Sequence, residues 1–215
     1  MRLRSPAAVR TAAVLLALAA LTACGALKDA TQGKRNTGMN LQQGADRADI
    51  ILQETLAAAT PELRWNHGPY GDSGCTTALN GATGTGAADR SILILTIVSE
   101  QRRGALLGLI ERDWKARGYK ITSVNTSAEF PAIYASTPED YTLTVKVGGE
   151  GQFMLKAATP CLTDSGVQAP LTKPNTPVRN TPFPQRPDVH DDFWSATTPA
   201  PQTPAPPAPA ATPTP

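Results

Sequence analysis

The sequence predicts an α+β domain, with two helices packed on one face of a largely antiparallel four- to five-stranded sheet and with disordered flanks. Three observations carry this. Apolar residues recur at helical spacing in two separate segments. Apolar runs of strand length lie between and after those segments, one of them alternating with polar residues. The chain outside about 45–164 is polar, glycine-bearing or proline-rich and has nothing with which to build a core.

The first helix is expected over 46–59, where Ala48, Ile51, Leu52, Thr55, Leu56 and Ala59 form one stripe and Pro61 follows the stop. Residues 63–66 read as a short strand with Trp65 as a core anchor. Residues 67–89 are rich in glycine, serine, threonine and asparagine with no sustained period, and read as a long surface loop containing Cys75. Residues 91–98 are apolar on both alternating faces and β-branched, as a mid-sheet strand is. Ser99 then opens a second helix, with Leu106, Leu107, Ile110 and Trp114 on one side and Gly118 past its end. Strands follow at 119–124, 132–135, 141–147 and 152–158. In the third, Tyr141, Leu143, Val145 and Val147 alternate with Thr142, Thr144 and Lys146, so one face of the sheet is wet. Glycines in 148–151 make the turn into the last strand.

The flanks set the address. Arg2, Arg4 and Arg10 precede an uncharged run over 11–23 that ends in Leu21-Thr22-Ala23-Cys24, followed by Gly25. About 13 residues are too few to span a hydrocarbon core of ~30 Å as a helix, so the segment reads as an export signal. The leucine, the two small residues and the cysteine resemble the lipobox of bacterial lipoproteins. That resemblance implies a diacylglycerol on the Cys24 thiol, cleavage before it, and anchoring of the new amino terminus at the outer face of the cell membrane. Two acyl chains hold a protein stably where one is marginal. The organisation expected is a signal peptide over 1–23, a lipidated flexible tether over 24–44, the α+β domain over 45–164 and a proline-rich disordered tail over 165–215. That tail holds 14 of the 20 prolines.

An exported chain permits disulfides, and the cysteines left after Cys24 are Cys75 and Cys161, expected to pair. The formal charge of +2 includes the three signal arginines, so the exported chain is near −1 and shows no polybasic run. Nucleic acid is not an expected partner. More loosely, Leu95 to Glu100 running into a helix with Trp114, Gly118 and Tyr119 resembles uncharacterised lipoproteins of high-GC Gram-positive bacteria. That resemblance supplies no activity.

Catalytic patterns are incomplete. Gly71-Asp72-Ser73-Gly74 copies part of the surroundings of a protease serine, but His67 and His190 are the sole histidines, and an acyl-transfer triad needs a base and its orienting acid in place. Gly81 to Gly86 lacks the lysine and following helix of a phosphate loop. His190-Asp191-Asp192 is too sparse for a structural zinc site. The aromatics Trp65, Trp114, Tyr134, Tyr141 and Phe153 are expected in the core rather than along a ligand groove, with Phe130 in an exposed segment. The expectation is therefore a non-catalytic binding or interaction module without a cofactor, its partner an envelope protein or cell-wall component. The alternative is a small envelope hydrolase with its site in 67–89. Within the tail, Phe193 and Trp194 stand out as an aromatic pair that either docks back on the domain or forms a partner motif.

Overall fold

A computed structural model describes residues 38–177, 179 and 185–200. The expected signal peptide, Cys24, most of the expected tether and the end of the tail lie outside the described residues. The elements run α1 (Leu41–Ala57), β1 (Trp65–His67), β2 (Gly71–Thr76), β3 (Ala82–Ile94), α2 (Glu100–Ala116), β4 (Lys120–Asn125), β5 (Ala132–Ser136), β6 (Thr142–Val147), β7 (Phe153–Ala158) and β8 (Leu162–Thr163). The α+β class holds, but the sheet has eight strands rather than four or five. Its order is β1-β3-β7-β6-β5-β4, with β2 and β8 also on β3 and every pairing antiparallel.

The extra strands come from the segment expected to be a loop. Residues 71–76 and 82–89 form a hairpin, with Gly71 opposite Asp89 and Gly74 opposite Gly86. Its residues are mostly exposed, so no apolar alternation marks it; backbone pairing on both edges of β3 holds it instead. Over its 13 residues β3 takes β2 and then β1 along one edge, and β8 and then β7 along the other. The mid-sheet position expected for 91–98 is thus realised over its first half, and regular pairing ends at Ile94.

Helix α1 starts earlier than its apolar stripe suggests. Asn40 Oδ1 accepts from the Gln43 amide and Gln43 Oε1 accepts from the Asn40 amide, both at 2.9 Å, a reciprocal capping box. Gly44 lies inside the helix because a Cβ there would stand 2.2 Å from Leu162 Cδ1, so a glycine lets α1 approach β8. Thr55, the one polar residue in the stripe, accepts from Trp114 Nε1 at 3.0 Å and so satisfies the buried indole of α2. At the end of α2, Gly118 takes φ +77°, the left-handed position that favours glycine past a helix terminus.

Both helices pack on the same side of the sheet. The principal core joins Ala48, Leu52 and Leu56 of α1, Leu106, Ile110 and Trp114 of α2, and the alternate residues Ile92, Ile94, Leu143, Val145, Phe153 and Leu155 of the strands. A smaller cluster of Leu41, Ala45, Ala88 and Leu162 lies beneath the first turns of α1.

The packed chain does not end at Asp164. Ser165 Oγ accepts from the Gln42 amide, and Gln42 Oε1 accepts from the Gln168 amide. Asn175 then accepts from the Trp65 amide at 2.8 Å, and Thr176 Oγ1 donates to the Trp65 carbonyl at 2.8 Å, which covers the free edge of β1 with side chains. Val189 forms a parallel bridge with Thr96 just beyond β3. Proline content hides this because irregular chain can be held by polar side chains and single anchors without any periodic pattern.

Candidate functional site

Cys75 in β2 and Cys161, the residue before β8, form a disulfide with their Cα atoms 6.2 Å apart. It joins the two short strands that flank the amino-terminal half of β3, where β2 has no buried residue and the first three residues of β3 are exposed.

The residues of the hydrolase alternative do not come together. In β3 the even-numbered residues Ala88, Arg90, Ile92 and Ile94 face the helices, and the odd-numbered ones face away. Ser73 is paired with Ala87 and His67 with Ile92. Paired residues share a face, so the hydroxyl and the imidazole lie on opposite faces of the sheet. Ser73 is exposed, and His67 Nε2 bonds the Thr172 carbonyl at 2.7 Å. Bound to a carbonyl, that nitrogen carries the proton.

Phe193 and Trp194 belong to the fold rather than to a free recognition motif. Asp191 Oδ1 accepts from both of their amides, at 2.9 and 2.8 Å, closing a turn that points the indole inward. Trp194 is 1% exposed and joins the principal core, with its Nε1 donating to the Pro61 carbonyl at 2.8 Å. Phe193 packs edge-on to it, and the guanidinium of Arg102 lies 4.6 Å from the Phe193 ring centre.

Sequence reasoning missed a buried polar cluster. Arg90 is fully buried among the helix-facing residues of β3, with Nε 3.7 Å from Asp49 Oδ2 of α1. Its Nη2 donates to the Gln168 carbonyl at 2.6 Å, and its guanidinium lies 5.3 Å from the Tyr70 ring centre. Asp49 Oδ1, His67 Nδ1 and Arg90 Nε and Nη1 are buried and meet no hydrogen-bond partner among the described residues. Burial pushes the Asp49 carboxyl up, against the pull of Arg90 and then His67. The one available signal was a charge in the even phase of an otherwise apolar strand. The cluster lies under residues 168–172, so chemistry on an outside substrate has no open approach to it; its groups tie α1, β3 and the covering chain to one another.

The face away from the helices is open over most of β4, β5 and β6, while Ser91 and Leu93 of β3 and Ala132 of β5 are buried, Ser91 Oγ donating to the Pro69 carbonyl. The register aligns Lys120, Ser136, Thr142, Ala158 and Asp89 in one row, Ser123, Tyr134, Thr144, Lys156 and Ser91 in the next, and Asn125, Ala132, Lys146, Met154 and Leu93 in the third. Lys120, Ser123, Asn125, Tyr134, Thr142 and Lys146 are exposed, while the inward neighbours Ile133, Ala135, Leu143 and Val145 are buried. Lys156 Nζ lies 3.2 Å from Asp89.

No family model matches the chain, and no curated protein matches it. Among solved structures, a DUF4853 family protein from Actinomyces odontolyticus is similar at a TM-score of 0.37 and 15% identity, over 70% of this chain and 78% of that one.

Proposed function

We propose that the chain is a membrane-anchored extracytoplasmic lipoprotein, held at the outer face of the cell membrane through Cys24, and that its folded part is a non-catalytic binding module of the cell envelope. The anchor follows from the lipobox residues Leu21 to Cys24 behind a short uncharged run. The Cys75–Cys161 disulfide suits the same side of the membrane, because such bridges persist in oxidising compartments.

The binding role rests on one observation: both helices cover one face of the sheet, and the other exposes polar side chains on β4, β5 and β6, among them Lys120, Ser123, Asn125, Tyr134, Thr142 and Lys146. The partner is an envelope protein or a cell-wall component presented to that surface.

Cys24→Ala tests the address. It should move the protein from the membrane fraction into the medium, or leave it uncleaved; a processed species that stays in the membrane overturns the anchor. For the binding role, the anchored protein is recovered from detergent-solubilised envelope. Specific retention of one component, lost on charge reversal at Lys146, is the expected result, and the absence of any retained component counts against the module.

A further inference from the structure

We propose that the open face of the sheet binds an acidic polysaccharide of the envelope, with Lys120, Lys146 and Lys156 facing its carboxylates and Tyr134 under a sugar ring. This rests on the binding-module reading above and names its ligand class.

The face gathers most of the lysines among the described residues. Five lysines lie among the described residues, at 115, 120, 146, 156 and 173, and three of them stand in these rows. None of the arginines does. In the paired rows the sole carboxylate is Asp89, which lies against Lys156. Lys120 and Lys146 are exposed and meet no carboxylate among the described residues. These lysines turn a locally positive surface toward solvent, complementary to a polyanion.

Geometry favours an extended polymer. Lys156 on β7 stands opposite Thr144, two residues along β6 from Lys146, so these two ammonium groups are diagonal neighbours. Lys120 stands on β4, three strand spacings from β7, or about 14 Å across the sheet. A short run of sugar units spans that distance. Between the charges stand the hydroxyls of Ser123, Ser136, Thr142 and Thr144, which donate to and accept from ring hydroxyls. Tyr134 is 36% exposed between Ser123 and Thr144, an apolar ring with a polar tip of the kind that sugar faces rest on. The rows carry hydroxyls between the lysines, with Met154 half-buried beside Lys146, whereas insertion into a lipid interface calls for large exposed apolar side chains among the basic ones.

The test uses the full chain purified in detergent, with polygalacturonate as the acidic polysaccharide, dextran as a neutral one, vesicles of 30% phosphatidylglycerol in phosphatidylcholine, and a single-stranded DNA oligomer. Affinity electrophoresis at two salt concentrations should show binding to polygalacturonate, weakened by salt, and none to dextran. The triple variant Lys120→Gln, Lys146→Gln, Lys156→Gln should weaken it about tenfold or more, three exposed charge contacts each contributing a modest factor. Lys115→Gln with Lys173→Gln, away from this face, should leave it unchanged, and Tyr134→Ala should weaken it without altering its salt dependence. The inference is overturned if polygalacturonate does not bind, if vesicles or DNA are preferred, or if both lysine variants bind alike. Loss of polysaccharide binding with continued capture of an envelope protein overturns this inference and leaves the binding module standing; loss of both overturns both.

Discussion

At the scale of single residues, the buried Asp49–Arg90 pair sets the largest consequences. Removing one partner of a buried pair leaves the other charge unsolvated, which costs more than the pair contributes. Asp49→Asn should therefore destabilise the fold by roughly 3 kcal/mol or more, read from the denaturation midpoint. An unchanged midpoint would show that Arg90 is satisfied by Gln168 alone. Tyr141 offers a second reading of burial. It is fully buried, donates to the Gly44 carbonyl at 3.3 Å, and has its hydroxyl pushed up to about 12 by burial. The unfolded phenol ionises near 10. The folded group stays neutral through that range, so its contribution is complete below pH 10 and is lost as the pH rises toward 12. Absorbance titration of Tyr141→Phe against the parent should remove a late-ionising tyrosine and flatten the stability loss between those values.

At the scale of elements, legibility followed periodicity. The helix α2 and the strands β6 and β7 announce themselves because each buries one regular face, as with Leu143, Val145 and Val147. The hairpin of β2 with the first half of β3 does not, since Asp72, Ser73, Gly74 and Thr83 are exposed and backbone pairing needs no side-chain pattern. The same contrast predicts where the disulfide matters. With little burial to hold it, the hairpin depends on the Cys75–Cys161 link, which spans a sequence separation of 86. In the chain-entropy account, loss of the link destabilises the protein by about 4 to 5 kcal/mol. Hydrogen exchange on Cys75→Ser, Cys161→Ser should show lost protection first in 71–89 and little change in β6; a uniform loss would mean the hairpin is not a separate weak unit.

At the scale of the whole molecule, the decisive feature is that the domain is closed by chain beyond its last strand. Trp194 fills the principal core, and residues 165–176 cover Arg90, His67 and the edge of β1. A chain ended after Asp164 should consequently unfold at markedly lower denaturant than the full chain. Loss of one buried tryptophan alone costs about 3 to 5 kcal/mol. Equal stability of the two would show that the tail merely rests on the surface. The candidate site was legible in pieces only: the lysines are ordinary letters in sequence, separated by 26 and 10 positions, and the register of β4, β6 and β7 brings them to one face.

Local spacing and residue type were enough for the class of fold, both helices, the later strands and the cysteine pair. Tertiary structure alone decided that a glycine-rich stretch is a hairpin, that Asp49 meets Arg90, that the tail seals the core, and that one sheet face is basic. The physical reason is range. Periodicity and capping act over a few neighbours, whereas register, charge pairing and the seating of Trp194 join separate elements, Asp49 to Arg90 and Trp194 to Pro61 across a sequence separation of 133, through contacts that exist only once the chain has closed.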